Sequence, residues 1–266
     1  MSYNWDELNQ KTIDLFQGGQ YEDALKAARE AVDAARSAGD QRHLALGLSN
    51  VGEMCQATGD FAQAEQAKQE ALELVQEVYG PEHPETAATL YSLAILYVET
   101  NRFEQAETLL RQVLSIYEKD PSAQAEDVAQ GLIGLAESVR AQGRKEEARS
   151  CLERALSLLE EAWGESDPQL GPVLISLADT YQEESGLEKA GTLLRRALKI
   201  YEDTVGPGHP AFVEALGKLA ENYMARGMYQ AAQALLEQAV SLLQEGPTQD
   251  DPQIAHLLEE LAEAYQ

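Results

Sequence analysis

The chain repeats itself every 42 residues. Alanines stand at Ala64, Ala106, Ala148, Ala190 and Ala232, and a second series at Ala94, Ala136, Ala178, Ala220 and Ala262. A third series is all leucine: Leu48, Leu90, Leu132, Leu174, Leu216 and Leu258. Self-similarity at a fixed period of about 20–50 residues marks a solenoid, in which no unit can bury its apolar face alone and each stacks on its neighbours. That period displaces the usual reading of 266 residues as one or two globules.

Each repeat reads as two amphipathic helices. In the third, Leu90, Leu93, Ala94 and Tyr97 share one face of a first helix expected over 85–99. Ala106, Leu109, Leu110, Val113 and Leu114 share one face of a second helix expected over 103–118. The intervening turns hold Gly59, Asn101, Gly143, Gly186 and Gly227, which predicts a left-handed residue closing each first helix. The alanines predict close helix crossings, because two helices approach to about 8 Å only where the facing side chains are small. The repeats run about 1–40, 41–84, 85–126, 127–168, 169–210 and 211–252, one repeat domain over 1–266. Residues 253–266 read as a lone first helix, with Glu259, Glu260 and Glu263 outward, that caps the stack. The first repeat diverges most, with Thr12 where others carry Ala or Gly.

Leu219-Ala220, Tyr223, Gly227, Tyr229, Ala232 and Ala239 form a pattern that resembles the tetratricopeptide repeat. The repeat of that family is shorter, at about 34 residues. The added length, and the linkers Gly80-Pro81-Glu82-His83-Pro84 and Gly206-Pro207-Gly208-His209-Pro210, resemble its kinesin-light-chain type. Gly164 to Pro168 is a weaker echo. The resemblance implies an all-α solenoid, a right-handed superhelix of antiparallel helix hairpins whose first helices line a concave surface. It implies little about function, because a fold of this kind serves many partners.

Lys and Arg number 20 against 46 Asp and Glu, a formal charge of −26. Nucleic acid and anionic membrane surfaces are disfavoured, since both need clustered bases, and a basic protein or peptide is the natural counterpart. No apolar run reaches the length of a membrane span, and the acidic opening residues predict no signal peptide. Cys55 and Cys151 read as small buried thiols in a reducing cytoplasm. His83 and His209 lie three repeats apart with no ligand-spaced neighbours, so no metal site is expected. No phosphate loop, metal-binding helix motif or nucleophile elbow is present, and acid pairs such as Glu160-Glu161 read as solvated helix faces. The chain is expected to be no enzyme and to need no cofactor.

By the resemblance, the concave lining lies one residue past the core marks. One such series reads Glu53, Ile95, Glu137, Asp179 and Glu221; others place Tyr91, Ile133 and Ile175, and Val98 and Arg140. These ten are the expected peptide-binding residues: an apolar centre at Tyr91, Ile95, Val98, Ile133 and Ile175 inside an acidic ladder, with Arg140 interrupting it. Chaperone-binding members of the family clamp a carboxylate with Lys and Asn where this chain has Glu53, Glu137 and Asp179. Kinesin light chains take acidic cargo in basic grooves, and this lining has the opposite sign. The expectation is a scaffold for a basic segment with apolar anchors. The alternative is an architectural or self-associating module, natural or engineered, with no dedicated peptide groove.

Overall fold

The computed structural model describes residues 5–181 and 185–245. Among them are twelve α-helices and no strand. They run α1 Trp5–Gln17, α2 Tyr21–Ala38, α3 Gln41–Ala57, α4 Phe61–Tyr79, α5 Pro84–Glu99, α6 Phe103–Tyr117 and α7 Ala125–Ala141. The remainder are α8 Lys145–Trp163, α9 Leu170–Asp179, α10 Leu187–Thr204, α11 Pro210–Ala225 and α12 Tyr229–Glu245. The chain divides into two compact units, 1–143 and 144–266, at the turn of the fourth repeat. The expected capping helix at 253–266 lies outside the described residues.

In the amino-terminal unit each helix packs on the one before and after it, and the first helices of neighbouring repeats also touch, α1 on α3 and α5 on α7. The carboxy-terminal unit does the same, with α9 on α11. The spacing of small residues explains why. Ala64, Ala106, Ala148 and Ala232 are fully buried, as are Ala94 and Ala220, so hairpins close on alanine contacts. Leu48, Leu90, Leu132, Leu174 and Leu216 are buried beside them and supply the apolar area.

The helix ends follow local chemistry. Asp40 and Asp60 cap α3 and α4, each carboxylate accepting from a backbone N–H three residues on at 3.1 Å. Gly59, Gly143 and Gly227 take the expected positive φ in the hairpin turns, and Asn101 takes it at 57°. Gly186 departs, at φ −100°, because it serves as the N-cap of α10 instead of closing the helix before it. The linkers are more specific than a stop and a start. His83 and His209 are N-caps, Nδ1 accepting from the N–H of Glu85 at 3.1 Å and of Ala211 at 3.2 Å. Pro84 and Pro210 then open α5 and α11. The weaker echo behaves differently: Gln169 is the N-cap, and α9 begins two residues after Pro168.

Polar ties join successive hairpins at the tyrosines that end the first helices. Tyr97 donates to Glu65 at 3.0 Å, and Arg102 reaches the same carboxylate through two nitrogens at 2.6 and 2.8 Å. The Arg102 hydrogen bonds hold the Glu65 carboxyl below the usual range. Tyr181 donates to Glu153 at 3.0 Å, and Arg149 donates to the Thr180 carbonyl at 2.6 Å. Neither cysteine is in a disulfide; Cys55 is buried as expected, but Cys151 is only half-buried.

Candidate functional site

Seven of the ten expected residues fall in the amino-terminal unit. Glu53 on α3, and Tyr91 and Ile95 on α5, line one pocket of about 520 Å³. Glu53 is exposed, and Tyr91 and Ile95 are half-buried, so the acid and the apolar surface share one opening. Burial raises the Tyr91 phenol, and the charge of Glu137 on α7 raises it further, so Glu137 acts on this region too. Gly134 of α7 lies near Ile95: a Cβ there would meet Leu110 Cδ2 at 3.1 Å and Ile95 Cδ1 at 3.7 Å. Ile133 is half-buried, and Glu137 and Arg140 are exposed. Val98 is different. It is 8% exposed and packs inside the core, so its side chain offers little to a ligand.

The pocket also holds residues outside the expected set: Phe16 from α1, Ser92 and Glu99 from α5, and Lys68 from α4. Lys68 is the unusual one. It is 3% exposed, and its ammonium donates to the Ser92 carbonyl at 3.2 Å and hydroxyl at 2.6 Å. No carboxylate lies at ion-pair distance from it among the described residues. Burial pushes its pKa down, and Glu53 and Glu99 oppose that from further away. The sequence carried a signal for it. Forty-two residues on from position 68, and at each further period, stand Leu110, Leu152, Leu194 and Leu236, all buried. A lysine thus replaces the leucine of a core position. Opposite it, Gly52 replaces the alanine of the Ala94 series, and a Cβ there would lie 2.6 Å from Lys68 Cγ. The two changes are complementary: the glycine vacates the space that the longer side chain crosses.

In the carboxy-terminal unit, Asp179 and Glu221 line a smaller pocket of about 260 Å³ with Leu187, Lys218 and Asn222. Both acids are half-buried. Glu221 accepts from Lys218 at 3.0 and 3.1 Å, so much of its charge is answered within its own helix. Asn222 donates to the Leu187 carbonyl at 2.9 Å, while its Oδ1 is buried without a hydrogen bond. Ile175 is 7% exposed and belongs to the core. Among the described residues no group of His, Cys, Asp and Glu is placed to hold a metal ion, and no helix is long and apolar enough to cross a membrane.

The tetratricopeptide repeat family model matches residues 43–119, 127–203 and 174–245, most of the chain. The chain belongs to the tetratricopeptide repeat family. Such repeats are protein–protein interaction scaffolds. Among solved structures, BtubC (BKLC) from P. vanneervenii is 24% identical with a TM-score of 0.73, over 84% of this chain and 90% of that one. The kinesin light chain nearly identical TPR-like repeats from Podosopora anserina are 25% identical with a TM-score of 0.66, over 77% of this chain and 96% of that one. PilW, a type IV pilus biogenesis factor, is 18% identical with a TM-score of 0.70, over 96% of this chain and 98% of that one. At such identities the likeness is one of fold. No sequence among curated proteins matches.

Proposed function

We propose that this tetratricopeptide repeat chain is a non-enzymatic scaffold that holds a segment of another protein, basic and with apolar anchors, on the surface of its first helices. The carrying observation is the pocket of about 520 Å³ in which exposed Glu53 and Glu99 border the half-buried Tyr91 and Ile95. Apolar surface bordered by exposed acids is what a basic partner of matching apolar content covers. Ile133, Glu137 and Arg140 extend the reading along α7, and Asp179 and Glu221 contribute in the carboxy-terminal unit. Val98 and Ile175 support those surfaces from within the core. Two cysteines outside any disulfide fit a cytoplasmic setting.

The alternative, an architectural or self-associating module, draws on the carboxy-terminal unit, where Ile175 is buried and Glu221 is paired. Surface-immobilised binding across a library of basic, neutral and acidic peptides, with sedimentation of the chain alone, separates the two. Selective capture of basic apolar peptides by a monomer supports the scaffold. Self-association with no peptide preference overturns it.

A further inference from the structure

The Lys68 pocket has more structure than a peptide groove requires. A charged side chain occupies a place that four later repeats give to buried leucine, and Gly52 makes room for it. Burying a charge is costly unless it is paired and hydrogen-bonded. Here the hydrogen bonds are to Ser92, and no carboxylate within the described protein pairs with the ammonium. Stability alone does not explain such a lysine, because leucine would fill the position at lower cost. Glu53 and Glu99 stand on different helices, α3 and α5, at the edges of the same pocket, each exposed and neither at ion-pair distance from Lys68. Phe16, Tyr91 and Ile95 supply the apolar wall.

These three elements match the three parts of one kind of molecule. We infer that the pocket is a binding site for a free α-amino acid with an apolar or aromatic side chain. Its carboxylate takes the Lys68 ammonium, its ammonium sits against Glu53 and Glu99, and its side chain lies on Phe16, Tyr91 and Ile95. The cation and the acids of a preformed site for a zwitterion must be held apart, since a lysine and a glutamate already paired would have neither end to offer. That separation is present here. A carboxylate arriving at Lys68 also supplies the counter-charge that the buried ammonium lacks, and a charge-assisted bond in a partly desolvated pocket is strong. A simple anion fits worse, because Glu53 and Glu99 repel it. A simple cation fits worse, because Lys68 does. The site needs no peptide partner and would give the scaffold a small-molecule input.

The test is calorimetric titration of the full chain with L-phenylalanine, N-acetyl-L-phenylalanine and L-phenylalaninamide. L-phenylalanine is expected to bind, with each derivative about tenfold weaker or more, as loss of one charge-assisted contact predicts. Lys68→Met should erase the preference over the amide and keep the preference over the acetylated form. Glu53→Gln with Glu99→Gln, both on exposed side chains, should do the reverse. Equal binding of all three compounds, no binding of any, or an unchanged preference in the variants overturns the amino-acid site. Basic peptides that bind while L-phenylalanine does not would leave the scaffold reading standing and this one false.

Discussion

Lys68 shows at the level of one residue how a repeat departs from its own pattern. Its burial lowers the folded-state pKa below the unfolded value, so the charged form is penalised in the folded chain. The penalty is fully present below the folded pKa and lifts as pH rises towards 10.5, the ordinary lysine value. The buried tyrosines act in the opposite sense and at higher pH. Burial, then Asp127, Glu85 and Tyr91, pushes Tyr117 up to about 12, so its contribution holds below its unfolded value near 10 and is lost only above it. Between its folded pKa and 10.5 the wild type should therefore gain on Lys68→Met in urea melts as pH rises, with the difference level at lower pH. At neutral pH the methionine variant should be more stable by about 1–3 kcal/mol, the cost of a buried polar group. A pH-independent difference would mean that Lys68 is solvated in the folded chain. Packing residues make the contrast. Leu174 has no exposed surface, and Leu174→Ala should cost about 2–5 kcal/mol through the cavity left behind. Ala178 is 2% exposed, and Ala178→Phe should cost roughly 1–3 kcal/mol through overpacking, both read from denaturant melts.

Helix ends carry the next prediction. His83 caps α5 through an imidazole nitrogen, at a position where Ser, Thr, Asp or Asn is usual. His83→Ala should lower stability by about 0.5–2 kcal/mol, and His83→Asn should recover most of it, since the amide oxygen offers an equivalent acceptor. Equal melts for all three would show that Pro84 alone sets the start of α5. The linker histidines also mark where sequence reasoning reached its limit. Their separation spoke against a metal, but nothing in the spacing distinguished a cap from a solvated side chain, because that depends on the φ and ψ of one residue. Elements set by long periodicity were far more legible. The expected helix over 85–99 begins one residue earlier, at Pro84, and that over 103–118 ends one earlier, at Tyr117. Where the pattern was weak the prediction drifted, as at Pro168 and Gly186. The pocket was half legible. Glu53, Tyr91 and Ile95 follow from counting along first helices, whereas Lys68 lies on a second helix, and lysine ordinarily reads as surface. Only its pairing with Gly52 turns it inward. Val98 and Ile175 were misplaced for the converse reason, since an apolar residue beside the core stripe is covered or bare according to the neighbouring repeat.

For the whole molecule the governing quantity is the charge of −26. At low salt a charge of that sign would favour encounter with a basic partner over an acidic one, an effect expressed chiefly in association rates. At physiological salt the Debye length is about 8 Å, so an acid acts mainly on ligand charges that pass close to it. The acids of the expected ladder are therefore not equivalent. Glu53 and Glu137 are exposed and make no ion pair within the described chain, so their fields reach an arriving ligand. Glu221 is already answered by Lys218 at 3.0 Å, and replacing it also frees that lysine. Charge reversal of Glu53 and Glu137 to Lys should slow capture of a basic peptide by about tenfold at low salt, with the gap closing as salt rises. Reversal of Glu221 alone should change the rate less. Ile95→Ala should act differently again, raising dissociation while leaving association nearly unchanged, because an apolar anchor contributes after contact is made. Stopped-flow association across a salt series, with dissociation followed by competition, measures each effect separately. A rate that falls as steeply for Glu221→Lys as for the exposed pair would show that net charge at a distance, not the acids beside the pocket, governs what this scaffold meets, whereas a rate flat with salt would show that charge of either kind does not govern it.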